Sequence, residues 1–278
     1  MNVPSHTLPS GDELPALGFG TWNLGSGTVK RSVRAALDAG YTHIDTAEGY
    51  RNEREIGEVI AEYDRDDLFL TSKVLAKNLN YESLIDACEG SLERLGTDYL
   101  DLYLIHWPNP AISLRESLHA MAELHDRGLV RNVGVSNFSG YQLSCAQHIS
   151  DVPIAVNQIE YHPWFQRSEL VEYCRDTDTV VEASAPLART EIFDDEAVRE
   201  LAETYDKSPA QIVIKWAIER DVVALPRSGT PDHIRQNADL DWQIEEDDLR
   251  RLDERDRNHP VYDTPTRDWT TDVYGIEQ

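Results

Sequence analysis

Lysine is nearly absent from this 278-residue chain. It stands only at positions 30, 73, 77, 207 and 215, so arginine supplies most of the 26 basic residues set against 51 acidic ones. The formal charge of −25 argues against a nucleic-acid partner, whose phosphates an acidic surface repels, and against an anionic membrane. Such a surface repels itself in dilute buffer but is tolerated in molar salt, where the Debye length falls to about 3 Å. A protein of a salt-rich cytoplasm is expected. Cysteine is scarce as well. Cys88, Cys145 and Cys174 lie far apart and match no CxxC or zinc spacing, as expected of buried thiols in a reducing compartment. No run of about 18 apolar residues is present to span a membrane. Residues 1–9 lack the basic and apolar regions of a signal peptide. The histidines form no HExxH or HxH pattern, so no metal is expected. A cytoplasmic monomer acting on a small molecule fits these absences.

What is present is alternation. Short apolar runs predict strands at Leu17–Thr21, Thr42–Asp45, Leu68–Lys73, Tyr99–His106, Val130–Ser136, Ile154–Gln158, Thr179–Ser184 and Val222–Leu225. Between them, apolar residues recur at helical spacing over Val29–Ala39, Glu53–Glu62, Tyr81–Leu95, Leu114–Asp126, Tyr141–His148, Arg167–Arg175, Asp195–Tyr205, Pro209–Arg220 and Pro231–Ala238. Eight such units in one chain of this length predict an α/β fold, a (β/α)₈ TIM barrel forming a single domain over residues 1–278. The rival is a doubly wound sheet with a GxGxxG turn, and Gly18-Phe-Gly20-Thr-Trp-Asn23 fails at its third glycine. An N-terminal β-hairpin turning at Ser10-Gly11-Asp12 is expected to cap the barrel floor, with Glu245–Asp256 as an extra surface helix. The tail beyond Asn258, with Trp269 and Tyr274, is placed to fold over the mouth.

Chemistry in such a barrel sits where the strands exit at their C-terminal ends. The polar residues there are Thr21, Asp45, Lys73, His106, Ser136 with Asn137, Gln158, Ser184, and Arg227 with Ser228. A carboxylate, an ammonium and an imidazole thus fall on strands two, three and four, and Tyr50 follows Asp45 by five residues. Singly, Asp45 reads as a helix cap, Lys73 as a surface cation, His106 as a packed core histidine and Tyr50 as loop packing. Together they read as a site. A lysine beside a tyrosine in a dry pocket is expected to lower the phenol from about 10 toward working pH, with Asp45 orienting the ammonium. Such a phenol protonates a developing alkoxide, and a neutral His106 fixes the substrate oxygen. No strong nucleophile or metal triplet accompanies them. The proton donor therefore needs a second reactant, and nicotinamide hydride is one.

The same segments carry a resemblance. Gly40-Tyr-Thr-His-Ile-Asp-Thr-Ala-Glu-Gly-Tyr50 with Arg-Asn-Glu53, Leu70-Thr-Ser-Lys73-Val, Asp101-Leu-Tyr-Leu-Ile-His106-Trp-Pro, Gly134-Val-Ser-Asn-Phe138 and Asn157-Gln-Ile-Glu-Tyr-His-Pro163 resemble the aldo-keto reductase signatures. The segment from Leu225 to Asn237 is similar to the family's adenosine-phosphate segment. The resemblance spans roughly Leu8 to Glu254. It implies NADP(H) as cofactor, a small carbonyl compound as substrate, and a catalytic tetrad of Asp45, Tyr50, Lys73 and His106 with Tyr50 as the acid. It implies that Ser136, Asn137 and Gln158 hold the nicotinamide carboxamide and that Arg227, Ser228, His233, Gln236 and Asn237 surround the adenosine end. Thr21, Trp22, Asp45, Ser184, Pro186 and Leu187 complete the expected cofactor contacts.

The substrate wall is expected from Trp22, Tyr50, Leu75, His106, Trp107 and Trp164, with Trp269 joining from the tail and Arg189 facing any anionic group. The short connection from Trp107 to Leu114 is similar to that of prokaryotic 2,5-diketo-D-gluconate reductases. Two departures stand out. Ser184 takes the place where many members stack an aromatic ring on the nicotinamide. His233 replaces one of two permanent cations, so NADPH is expected first with NADH also accepted. Two alternatives stay open, an NADP(H)-binding sensor with negligible turnover and a barrel isomerase using no nicotinamide.

Overall fold

The computed structural model describes residues 3–262. A hairpin of β1 (Ser5–Thr7) and β2 (Glu13–Pro15) opens the chain. Its turn falls where expected, with the Gly11 N–H donating to the Leu8 carbonyl and Leu8 N–H to Asp12, both at 2.8 Å. Eight parallel strands follow: β3 (Gly18–Gly20), β4 (His43–Asp45), β5 (Phe69–Val74), β6 (Leu100–Ile105), β7 (Val130–Ser136), β8 (Ile154–Glu160), β9 (Val180–Ser184) and β10 (Val223–Ala224). They pair in sequence order, and a parallel bridge between Leu17 and Ala224 closes the first strand onto the last. This is the (β/α)₈ barrel that the alternation predicts.

Ten helices are described: α1 (Ser26–Asp38), α2 (Glu53–Ile60), α3 (Tyr81–Leu95), α4 (Leu114–Asp126), α5 (Gly140–Ile149), α6 (Ser168–Asp176), α7 (Glu196–Tyr205), α8 (Pro209–Glu219), α9 (Pro231–Ala238) and α10 (Glu246–Asp253). Their boundaries follow local chemistry. Asn80 caps α3 by accepting from the Ser83 N–H at 3.1 Å, and Gly96 at φ 68° ends it. Between these stops Leu84, Cys88, Leu92 and Leu95 form the buried face. Ser208 and Gln211 close a capping box at α8, with Pro209 in the first turn. Fully burying one such leucine or valine contributes about 1.5–3 kcal/mol. Most of the core lies between strands and helices, where Tyr161 stacks on the buried Trp216 at 5.0 Å.

The lumen has its own core. Leu8 and Leu14 of the hairpin join Phe69, Leu102, Leu104, Val156, Val223 and Leu225, so the hairpin plugs the floor. Gly134 is required inside the lumen, since a Cβ there would stand 2.7 Å from Leu104 Cδ2 and the Val156 carbonyl. Strand alternation then sorts the inward face by height. Phe69 gives way to Thr71 and Lys73, Leu104 to His106, Val156 to Gln158, and Leu225 to Arg227. The floor is apolar and the mouth polar. Among the described residues no helix is long and apolar enough to cross a membrane. Cys88 and Cys174 are buried free thiols, pushed up to about 12 and about 11 by burial, whereas Cys145 is half-buried. Trp269 and Tyr274 lie outside the described residues.

Candidate active site

Three of the polar strand ends meet Tyr50 at the mouth. Lys73, fully buried on β5, places its ammonium 2.7 and 2.6 Å from the two oxygens of Asp45 and donates to the Thr46 carbonyl at 2.8 Å. All three ammonium hydrogens are thereby matched, which is what keeps a charge in a dry site from being prohibitively costly. The same Nζ lies 5.1 Å from the centre of the Tyr50 ring. Tyr50 meets His106 edge to face, with centroids 5.5 Å apart.

The loop bearing Tyr50 is held from both sides. Glu48 accepts from the Leu75 N–H at 2.5 Å and from Asn78 at 3.0 Å. Asn52 donates to the Thr21 and Leu24 carbonyls at 2.9 and 3.2 Å and accepts from Thr46 at 3.1 Å. Glu53 accepts from Ser72 at 2.6 Å and pairs with Arg94. The sequence assigned no role to Glu48, Thr46, Asn52 or Glu53, although all four lie within Gly40–Glu53.

The electrostatics correct one expectation. Lys73 does not bring the Tyr50 phenol down. Burial, with the charge of Asp45 adding to it, holds Tyr50 well above its ordinary value. The reason is geometric, because Asp45 already satisfies the ammonium. His106 moves the other way, to about 3, through burial and then through Lys73, so it is neutral. Its Nδ1 has no hydrogen-bond partner among the described residues. The mouth thus offers a phenol that keeps its proton and an imidazole that does not take one.

The comparisons agree on one family. The profile of the Aldo/keto reductase family matches residues 16–257. The chain is 37% identical to a zebrafish (Danio rerio) aldo-keto reductase family 1 member A1-A, over 91% of this chain and 89% of that one. It is 37% identical to a glyoxal reductase of Bacillus subtilis, over 93% and 95%. Among solved structures, an aldo-keto reductase of Bombyx mori in complex with NADP superposes with a TM-score of 0.90 at 31% identity, over 96% and 98%. The chain belongs to the aldo-keto reductase family. It is an oxidoreductase.

The residues of this aldo-keto reductase fit the NADP that the Bombyx mori structure holds. Asn137, held at φ 63°, commits its amide hydrogens to the His106 carbonyl at 2.9 Å and to Ser136 Oγ at 3.0 Å. Gln158 commits its own to Asp45 at 2.9 Å and Glu182 at 2.8 Å. Ser136 donates to the Gln158 carbonyl at 2.9 Å. Two side-chain amide oxygens remain, a match for the two N–H groups of a carboxamide. At the far end Arg227 is exposed, 5.6 Å over the Trp22 ring, and Ser228 closes a turn on Thr230. His233 and Gln236 are exposed on α9 and Asn237 is buried. Thr21 spends its hydroxyl on the Asp45 carbonyl at 2.9 Å, joining the first two strands. Buried Pro186 and half-buried Leu187 stand in a strained loop, where Ala185, Ala188, Arg189 and Thr190 all have positive φ. Each such residue costs about 1–3 kcal/mol and persists where surrounding structure enforces it.

The expected substrate wall is partly assembled. Trp22 is 45% exposed, with Arg189 at 5.7 Å over its ring, and Leu75 packs against Gly49 beside Tyr50. Trp107 is half-buried and directly follows His106. Trp164 drops out of the wall. Its indole N–H bonds Asp195 at 2.9 Å, Arg257 covers its face at 3.6 Å and His259 its edge. It is packing. Tyr262 takes a place that the sequence did not suggest. Its ring is 5.6 Å from Arg189 and its hydroxyl faces Ser184, whose Oγ stays without a hydrogen bond of ordinary geometry.

Proposed function

We propose that the protein reduces small aldehydes and ketones with NADPH, with Tyr50 as the general acid. The single observation carrying this reading is the convergence of Tyr50, Lys73, Asp45 and His106 at one point of the rim. When bound, the cofactor supplies hydride to the carbonyl carbon. Tyr50 delivers the proton from its Oη to the carbonyl oxygen. The high position of its phenol suits this direction, since the proton is present at every physiological pH. Lys73, fixed by Asp45 and the Thr46 carbonyl, sets a positive charge beside the ring as the phenolate forms. Neutral His106 orients the carbonyl oxygen by hydrogen bonding and does not compete as an acid.

Asn137 and Gln158 hold the carboxamide, and Tyr262 supplies the aromatic surface that Ser184 lacks. Arg227 alone bears most of the 2′-phosphate, so NADPH is preferred while NADH is accepted. Arg189, between Trp22 and Tyr262, favours carbonyl compounds that carry a carboxylate, such as 2,5-diketo-D-gluconate and other sugar-derived keto acids. The test is a panel of keto acids and neutral aldehydes in molar KCl, followed by loss of reduced-cofactor absorbance with NADPH and NADH in parallel. Turnover of keto acids ahead of neutral aldehydes of equal size is expected. No oxidation of either cofactor by any carbonyl compound would overturn the reading.

A further inference from the structure

Beneath the Lys73–Asp45 pair lies a second carboxyl that the proposed proton transfer does not use. Glu182 stands on β9 with its side chain in the lumen and is fully buried. It lies in register with Gln158 on β8 and with Val223 on β10. The groups facing it are Gln158, His43 and Asp45 from β4, Lys73 from β5, and the apolar Val223. Its Oε1 stands 3.8 Å from His43 Nε2 and has no hydrogen-bond partner among the described residues.

The Gln158 Nε2 donates to Glu182 Oε2 at 2.8 Å and to Asp45 Oδ2 at 2.9 Å. A carboxylate paired with Lys73 only accepts, so this face of the Gln158 amide must be its nitrogen. Asp45 alone would use one of the two hydrogens and leave the other buried and unmatched. Glu182 takes the second. Burial, with the charge of Asp45 reinforcing it, pushes Glu182 up to about 8, so near neutral pH it is an uncharged acid that accepts this bond without setting a second negative charge against Asp45.

We propose that Glu182 is a positioning residue that locks the Gln158 amide with its oxygen toward the mouth, so that the site presents an acceptor to the nicotinamide carboxamide. The inference rests on the reading that Gln158 meets that group. Asp45 alone keeps the nitrogen on this side but holds the amide by a single bond about which it can pivot, and Glu182 supplies the second bond that fixes its plane. Without the acceptor at 182 the amide pivots in search of a partner for its second hydrogen and its oxygen swings off line, which weakens the nicotinamide end and leaves the adenosine end untouched.

The experiment compares NADPH with 2′,5′-ADP, which has no nicotinamide, by quenching of tryptophan fluorescence. Glu182→Met removes the acceptor at similar length, and Glu182→Gln restores one through its amide oxygen. For Glu182→Met we expect NADPH to bind about tenfold more weakly or worse, with 2′,5′-ADP unchanged and Glu182→Gln near wild type. NADPH binding unchanged in Glu182→Met, equal losses for both ligands, or a Glu182→Gln protein as weak as Glu182→Met would each overturn the proposal. If Glu182→Met does not fold, Glu182→Val carries the same expectations, and failure of both to fold assigns the residue to the fold and overturns it. A wild-type protein that binds NADPH no better than 2′,5′-ADP would instead remove the reading of the site itself.

Discussion

The two ends of the barrel each bury a carboxylate beside a cation, and the two arrangements are built to different standards. At the floor, Asp101 accepts from Arg65 at 2.6 Å and from the Leu70 N–H at 2.8 Å. Arg65 spends its other donors on Thr97, Leu68 and Tyr99 and lies 3.9 Å over the Tyr99 ring. Asn132 then ties the Asp101 carbonyl to Asp12 in the hairpin turn. At the mouth the Lys73–Asp45 pair is just as close, but its surroundings are incomplete. His106 Nδ1 has no hydrogen-bond partner among the described residues, Ser184 Oγ faces only the Tyr262 hydroxyl, and the loop after β9 is strained. A complete network stabilises. An incomplete one, whose strained loop the surrounding structure enforces, leaves groups free for a ligand.

The comparison breaks first at Tyr50. Tyr50→Phe is expected to lower turnover about a thousandfold, within the range for a lost general acid, while NADPH affinity stays within twofold. Stopped-flow turnover and fluorescence titration check the two halves. A sensor that merely binds cofactor would lose nothing in either measurement. The floor should answer in the opposite way. Arg65→Ala leaves Asp101 with only the Leu70 N–H and the longer pair to Arg131 at 3.6 Å, although burial already pushes it up despite Arg65, and is expected to cost about 3 kcal/mol of stability. Urea denaturation measures that cost, and kcat on the same protein is expected to stay at the wild-type value. A floor variant that slowed chemistry without unfolding would end the division of labour between the two ends.

Acid should weaken the mouth through its histidines. Burial lowers His43 to about 4 and His106 to about 3, so the folded state holds both neutral while the unfolded chain protonates them near 6.5. Their contribution is present above about 6.5 and is lost as pH falls below it, because the unfolded state then binds more protons. The thermal midpoint is expected to drop by a few degrees between pH 6.5 and 5. His43→Gln should flatten part of that slope.

Much of this was legible in the sequence, for a definite reason. Val130–Ser136, Tyr81–Leu95, Leu114–Asp126 and Pro231–Ala238 match their predicted spans to the residue, since period, caps and proline all agree there. The strand ends Asp45, Lys73 and His106 were found because a barrel collects its chemistry at one end. Less legible were partners set by tertiary closure. Glu182 shares a strand face with Ser184, so alternation could have placed it in the lumen. Nothing local says that Gln158 lies across from it. Trp164 was misplaced for a similar reason, as an aromatic after a strand end reads as rim until Asp195 is seen to claim its N–H. The unmet expectation for Tyr50 shows that a lysine lowers a neighbouring phenol only with charge it has not already given to a carboxylate.

The smallest effects per residue belong to the acidic shell, where neither end of the barrel is involved. Lys30 with Glu58 links α1 to α2, Arg34 pairs with Glu62 just beyond α2, and Arg127 pairs with Glu89 at 2.5 Å. These pairs are exposed, so each contributes little, and less as salt is added. Among the described residues most acidic side chains make no ion pair, and they act in the other direction. Their mutual repulsion reaches across the surface in dilute buffer and shrinks to about 3 Å in molar salt. Screening therefore relieves more repulsion than it removes attraction, and the thermal midpoint is expected to climb with KCl up to the molar range. The buried Lys73–Asp45 pair lies out of reach of counterions, so kcat per folded molecule should change far less. A midpoint indifferent to KCl would show that the carboxylates are already balanced at low salt, and would remove the argument for a salt-rich cell.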